Sequence, residues 1–290
     1  VPAVGEPTGG FAARVASAVA ATGPLCAGID PSSALLDRWG LPDDPRGLRE
    51  FASRCVEAFA GTVAVVKPQV AFFERFGSAG LAALEQLLEW AREAELIVIA
   101  DAKRGDIENT MTGYATAWLD PVSPLSADAV TAVPYLGLAA LEPMVETAAR
   151  HDRGVLVVVR SSNQEGREVQ AARTGAGTGP TVEDLLLSEI ATSNNGPGAR
   201  PGTVGAVIGA TLAPTSFSLS SLGGIVLAPG VGAQGATAAD VAAHFEGCAP
   251  GTVLPSVSRS LLLAGPDVAS LAAAARRACD EMAGALGAST

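Results

Sequence analysis

Eight short, almost continuously apolar runs recur along the chain, and they constrain its fold more than any other feature. They are PLCAGID (24–30), TVAVVKPQV (62–70), LIVIADAK (96–103), AVTAVPYL (129–136), GVLVVVRSS (154–162), TVGAVIGAT (203–211), GIVLAPGV (224–231) and GTVLPSV (251–257). Runs without polar alternation fit strands covered on both faces, as in a parallel sheet. Between them, GLREFASRCVEAFA (47–60) and SAGLAALEQLLEWAREA (78–94) carry apolar residues at three- and four-residue spacing, which predicts helices. Residues 266–286 read as a closing helix with Pro266 at its start. Eight strands alternating with helices in 290 residues predict a single α/β domain, a (β/α)₈ TIM barrel. An open doubly wound sheet is disfavoured because no GxGxxG follows the first run and polar residues end many different runs.

Two stretches break the rhythm. Residues 162–179 (SNQEGREVQAARTGAGTG) form a long polar, Gly-rich segment after the fifth strand. This is either a disordered surface insertion or a mobile lid, since βα loops of a barrel lie at its catalytic face. Residues 193–202 (SNNGPGARPG) precede the sixth strand and read as a plain surface loop on the opposite face.

The third run ends in charge. VIADAKRGDIENT places Asp101, Lys103, Arg104, Asp106 and Glu108 within eight positions of an apolar strand's end. In a barrel the strand ends converge, so these groups share a rim with Asp30, Lys67, Ser162, Asn163, Gln234 and Arg259. Lys67 sits among apolar neighbours in AVVKPQVAFF, and a half-buried charge needs a partner. Asp101 and Lys103 are two apart and point the same way if the strand continues. An alternating Asp/Lys network would meet that need and hold an ammonium at a fixed point. APGVGAQG (228–235) and PSVSRSLLLAG (255–265) offer a Gly-rich loop and Arg259 after the last two strands, where TIM barrels often hold a phosphate.

The net charge of −11 argues against nucleic acid or an anionic membrane as partner. No apolar run approaches the roughly 20 residues of a membrane span. The first residues carry no basic segment followed by an apolar core, so no signal peptide is expected. Cys26, Cys55, Cys248 and Cys279 are scattered without CxxC spacing and read as reduced residues of a cytoplasmic protein. His151 and His244 lie far apart, so no histidine metal site is expected and no cofactor motif is legible.

From PLCAGIDP to SVSRSLLLAG the sequence resembles the orotidine 5′-phosphate decarboxylase family, in particular a bacterial branch with VVKPQVAFFERFG and DAKRGDI motifs. The resemblance implies decarboxylation of orotidine 5′-phosphate (OMP) to UMP without a cofactor. It implies Lys103 as proton donor to C6, Asp101 beside the substrate carboxylate, and Lys67 joined to Asp101 and, with Asp30, near the ribose. Asp106 would reach into a neighbouring subunit's site in a homodimer, with Ile107 and Thr110 beside it. Ser162 and Asn163 match a motif that touches the pyrimidine, and Gln234 and Arg259 match phosphate-binding positions. The chain departs from the family pattern at Glu108, where a small residue is usual, at AVPYLG in place of SPYLG, and at SSNQEG in place of TSNPEG. Two other readings use the same frame: a Mg²⁺-dependent phosphosugar decarboxylase or aldolase, and a nucleotide-binding barrel without catalysis.

Overall fold

The computed structural model describes residues 10–212, 217–232 and 235–287. Eight parallel strands close into a barrel in chain order: β1 (Cys26–Ile29), β2 (Val65–Pro68), β3 (Ile97–Arg104), β4 (Ala129–Ala132), β5 (Gly154–Arg160), β6 (Val204–Ile208), β7 (Val226–Pro229) and β8 (Val253–Val257). Closure is made by β8 on β1, with Cys26 opposite Ser256 and Ala27 opposite Val257. All eight expected strands are present, and the fold is the single (β/α)₈ domain that their spacing predicts. Several are shorter than their apolar runs. The fourth run ends as a strand at Ala132 and continues into a loop that leaves Tyr135 and Leu136 exposed.

Two apolar layers hold the barrel. Inside, Cys26, Val65, Ile99, Leu156, Leu227 and Leu254 pack with Phe11, Ala12, Val15 and Val19 of the helix Gly10–Thr22. That helix plugs the N-terminal end of the barrel. Gly154, the first residue of β5, lies so close to Phe11 that an added Cβ would stand 2.4 Å from the ring. Asp128 pins the same end by accepting from Arg14, Arg153 and the backbone N–H of Val98. Outside, the larger core lies between strands and helices, and Trp39 stacks on Phe51 at 4.0 Å. Trp39 also donates to Leu262 O, which ties the segment after β1 to the segment after β8.

The helices begin where the sequence supplies caps. Asp44 accepts from Arg46 N and Gly47 N ahead of Pro45–Phe59, and Thr181 accepts from Asp184 N ahead of Val182–Asn195. Thr237 and Asp240 form a capping box at Ala238–His244. Each cap is worth about 1 kcal/mol. The closing helix is Val268–Ala285, capped by Asp267, so Pro266 lies just before the cap and not in the first turn.

One loop expectation is corrected. Residues 193–195 end the helix Val182–Asn195, and Asn194 is buried instead of lying in a surface loop. Its amide donates to Val204 O and Leu222 O and accepts from Val204 N, so it staples the helix to β6 and to the approach to β7. The staple matters because the described residues between β6 and β7 hold only a 3₁₀ turn, Leu219–Ser221. The Gly-rich segment 162–179 is ordered, with short helical turns at Gln164–Gly166, Arg167–Gln170 and Gly175–Gly177 and a bridge from Arg173 to Thr181. Among the described residues no helix is long and apolar enough to cross a membrane.

Candidate active site

The C-terminal strand ends enclose a cleft of about 390 Å³. This lies within the roughly 300–1,000 Å³ usual for small-molecule sites. Asp30, Lys67, Asp101, Lys103, Ser162 and Arg259 all line it, contributed by β1, β2, β3, β5 and β8 or the residues just after them.

Asp101 is the hub. Its Oδ2 accepts from Lys67 Nζ at 2.9 Å, and its Oδ1 accepts from Lys103 Nζ at 2.6 Å and from Thr131 Oγ1 at 2.9 Å. Gln69 donates to the Asp101 carbonyl oxygen, and its own side-chain oxygen accepts from Lys67 Nζ. The two lysines differ in access: the Lys67 side chain is 7% exposed and that of Lys103 is 48% exposed. Lys67 is a buried counter-ion, and Lys103 faces the cleft.

The chain bends locally to make this arrangement. The register of β3 against β4 shifts between Ala100 and Arg104, and Lys103 has φ +48°. A left-handed conformation costs a non-glycine residue about 1–2 kcal/mol. Thr131 of β4 holds it there by accepting from Lys103 N at 2.9 Å while donating to Asp101. The bend also separates the charges of the motif. Arg104 turns away to pair with Glu74, donates to Ala102 O and lies over the rings of Tyr114 and Trp118.

Burial alone would raise the Asp101 carboxyl, but the ammonium groups of Lys67 and Lys103 outweigh it and bring the pKa from 3.8 down to about 2. Burial would likewise discharge Lys67, yet the nearby Asp101 and Asp30 carboxylates lift it above its ordinary 10.5. Both groups are therefore ionised at neutral pH. A buried charge of this kind is tolerated only because each partner is present.

Asp30 sits just past β1 and accepts from Ser258 Oγ through Oδ2, while Oδ1 is buried with no partner among the described residues. Ser162 reaches the cleft because Gly209 lets the backbones approach; a Cβ there would stand 3.2 Å from Ser162. Asn163 does not line the cleft: its amide donates to Glu165 on the exposed side. Asp106, Ile107 and Thr110 also lie outside the cleft wall of this single chain. Asp106 accepts from Ile107 N, and Ile107 and Thr110 are exposed. Glu108, where the sequence departs from the family pattern, has φ +48°, a conformation that favours glycine. Gln234 lies outside the described residues.

The sequence reading missed Thr131, Gln69, Ser161, Ser258 and Phe72. Gln69 had a signal, since it lies two residues beyond Lys67. Thr131 is the one hydroxyl in an otherwise apolar AVTAV.

A family model described as "Orotidine 5′-phosphate decarboxylase / HUMPS family" matches residues 23–274, nearly the whole barrel. The chain belongs to this family. An orotidine 5′-phosphate decarboxylase of Salinispora tropica is 52% identical over 277 residues, covering 95% of this chain and 98% of the relative. One of Corynebacterium glutamicum is 50% identical over 263 residues, covering 90% and 93%. Among solved structures, a candidate orotidine 5′-phosphate decarboxylase of Streptomyces avermitilis superposes with a TM-score of 0.87 at 47% identity, covering 96% of each chain. The Leishmania donovani OMP decarboxylase gives a TM-score of 0.75 at 28% identity, covering 96% of this chain and 100% of that one.

Proposed function

We propose that this member of the family decarboxylates OMP to UMP, and that Lys103 protonates C6 of the pyrimidine. The observation that carries the reading is the Lys67–Asp101–Lys103 chain, in which Lys67 is buried in the cleft wall and Lys103 is the more exposed of the two toward the cleft. When the C6–carboxylate bond breaks, CO₂ leaves and the electron pair stays in an sp² orbital at C6. That charge is poorly delocalised into the ring and needs a positive group nearby. The Lys103 ammonium supplies the field, then transfers a proton to C6 and is reprotonated by water. Asp101 stands beside the departing carboxylate and is kept ionised by two lysines. Because both its oxygens already engage ammonium groups, the reading without a metal is favoured over the Mg²⁺-dependent one.

The remaining assignments combine the cleft lining with the family resemblance. From the cleft wall, Asp30 and Lys67 serve the ribose, Ser162 the pyrimidine and Arg259 the phosphate; the resemblance adds Asn163, which must turn from Glu165 to reach the pyrimidine, and Gln234 at the phosphate. Arg259 offers the planar donor pair that suits a phosphate. The segment 162–179 acts as a lid over the pyrimidine and phosphate. The enzyme works as a cytoplasmic homodimer, with Asp106, Ile107 and Thr110 donated to the partner's site. Three exposed apolar residues on the rim, Ile107, Tyr135 and Leu136, support such a covered face.

The test follows the loss of orotate-ring absorbance and the appearance of UMP when EDTA-treated protein meets OMP. Turnover in EDTA is expected. Turnover that returns only with Mg²⁺ and a sugar phosphate would move the assignment to the phosphosugar branch. UMP binding without turnover would leave a nucleotide-binding barrel.

A further inference from the structure

We infer that Ser258 is a positioning residue that orients Asp30 toward a sugar hydroxyl and links that contact to the turn carrying Arg259. The inference rests on the reading of the cleft as a nucleotide site. Ser258 lies between β8 and the one-turn helix Arg259–Leu262. It makes two contacts of different kinds. Its hydroxyl donates to Asp30 Oδ2, and its carbonyl oxygen accepts from Leu262 N at 3.0 Å, which closes the turn that begins at Arg259.

The neighbouring strand is shaped to admit this side chain. Gly28 of β1 faces Ser258 so closely that an added Cβ would lie 2.4 Å from its Oγ and 2.6 Å from its Cβ. A glycine is therefore needed at 28 if Ser258 is to reach across to Asp30. Its backbone φ is ordinary, so the requirement is space and not conformation.

The consequence falls on the other carboxylate oxygen. With Oδ2 held by Ser258, the rotamer of Asp30 is fixed; Asp30 lines the cleft, and its Oδ1 is buried without a donor among the described residues. A buried carboxylate oxygen without a partner is costly, and a sugar hydroxyl that enters the cleft and reaches Oδ1 would satisfy it. Lys67 lines the cleft nearby, and the Asp30 carboxylate contributes to keeping Lys67 charged. Ser258 thus stands where the sugar contact, the charge network and the phosphate-side turn meet. Its loss would free Asp30 to rotate and would loosen the alignment of sugar and phosphate.

The experiment measures kcat and KM of wild type, Ser258→Ala, Asp30→Ala and the double variant on OMP and on its 2′-deoxy and 3′-deoxy forms. Ser258→Ala is expected to lower kcat/KM on OMP by about 10-fold, the scale of one hydrogen bond to a charged group. On the deoxy form that lacks the hydroxyl facing Asp30, the penalty should shrink to about twofold, and in an Asp30→Ala background it should nearly vanish. Ser258→Thr, which keeps the hydroxyl, checks for rescue. An equal Ser258→Ala penalty on all three substrates, or penalties that multiply in the double variant, would overturn the inference. Binding of UMP against its deoxy forms by calorimetry reads the same coupling without turnover. A wild type that binds UMP with this preference but does not turn over OMP sinks the catalytic reading and leaves the Ser258 inference standing. A wild type indifferent to the sugar hydroxyls sinks the Ser258 inference alone.

Discussion

Replacing Thr131 with Val removes one hydroxyl at the centre of the site while keeping the side chain's shape. Thr131 is 1% exposed, so water does not replace the lost group. Two hydrogen bonds go together: the one accepted from Lys103 N and the one donated to Asp101 Oδ1. An orphaned backbone N–H costs about 1–3 kcal/mol, and a lost bond to a charged oxygen adds about 1 kcal/mol or more. Because Lys103 remains on Asp101 Oδ1, the second loss is partial. The sum is about 3 kcal/mol, which for a chain of this length lowers Tm by roughly 5 °C. The effect on turnover should be larger. Lys103 is held at φ +48° by the Thr131 contact, and releasing it lets the ammonium shift. A displacement of about 1 Å at a reacting group costs on the order of 100-fold in rate. Thermal unfolding and OMP turnover on Thr131→Val, with Thr131→Ser as the hydroxyl-retaining control, make the comparison. Thr131→Val with unchanged Tm and kcat would refute the claim that β4 holds the Lys103 backbone in place. A loss that Thr131→Ser does not recover would assign the effect to packing.

Arg259→Ala should weaken OMP binding and turnover together, with kcat/KM falling about 100-fold, the scale of one doubly hydrogen-bonded phosphate contact; unchanged kinetic constants would defeat the phosphate assignment. For acid stability, Asp101 titrates at about 2 in the fold against 3.8 unfolded. Its contribution, about 2 kcal/mol, is therefore full above pH ~4 and is lost as pH falls toward ~2. Urea unfolding from pH 5 to pH 2 should show a shallower loss in Asp101→Asn than in wild type, and parallel curves would contradict the shift. Glu108→Gly should raise the unfolding free energy obtained from urea curves by about 0.5 kcal/mol, since relief of the left-handed φ exceeds the loss of an acid in the first helical turn; a lower free energy would show that the Glu108 side chain has a role of its own.

The barrel was legible because its strands are buried on both faces and so appear as unbroken apolar runs, such as LIVIA before Asp101. The charged members of the site were legible for a related reason: Lys67 and Asp101 stand out against Val and Ile. What was hidden had no local contrast. Asn194 sits in SNNGPG and reads as a turn, although its amide staples the backbone of Val204 and of Leu222, which lie 10 and 28 residues further along the chain. Thr131 and Ser258 act on Lys103 and Asp30 across strand pairs, and pairing registers are set by the closed barrel rather than by nearby residues. The left-handed turn at Lys103 was equally invisible, since no glycine marks it. The segment 162–179 left two readings open because composition says nothing of its anchors: Gln170 accepts from Ser161 N and donates to Ser161 Oγ.

The central claim is that Lys103, and not Lys67, delivers the proton to C6. The most direct measurement is single-turnover conversion of OMP to UMP by wild type and Lys103→Ala, with UMP affinity measured on the same preparations. The account predicts turnover reduced at least about 1,000-fold in Lys103→Ala, with UMP affinity changed by no more than about threefold. A Lys103→Ala protein that converts OMP at the wild-type rate would contradict it.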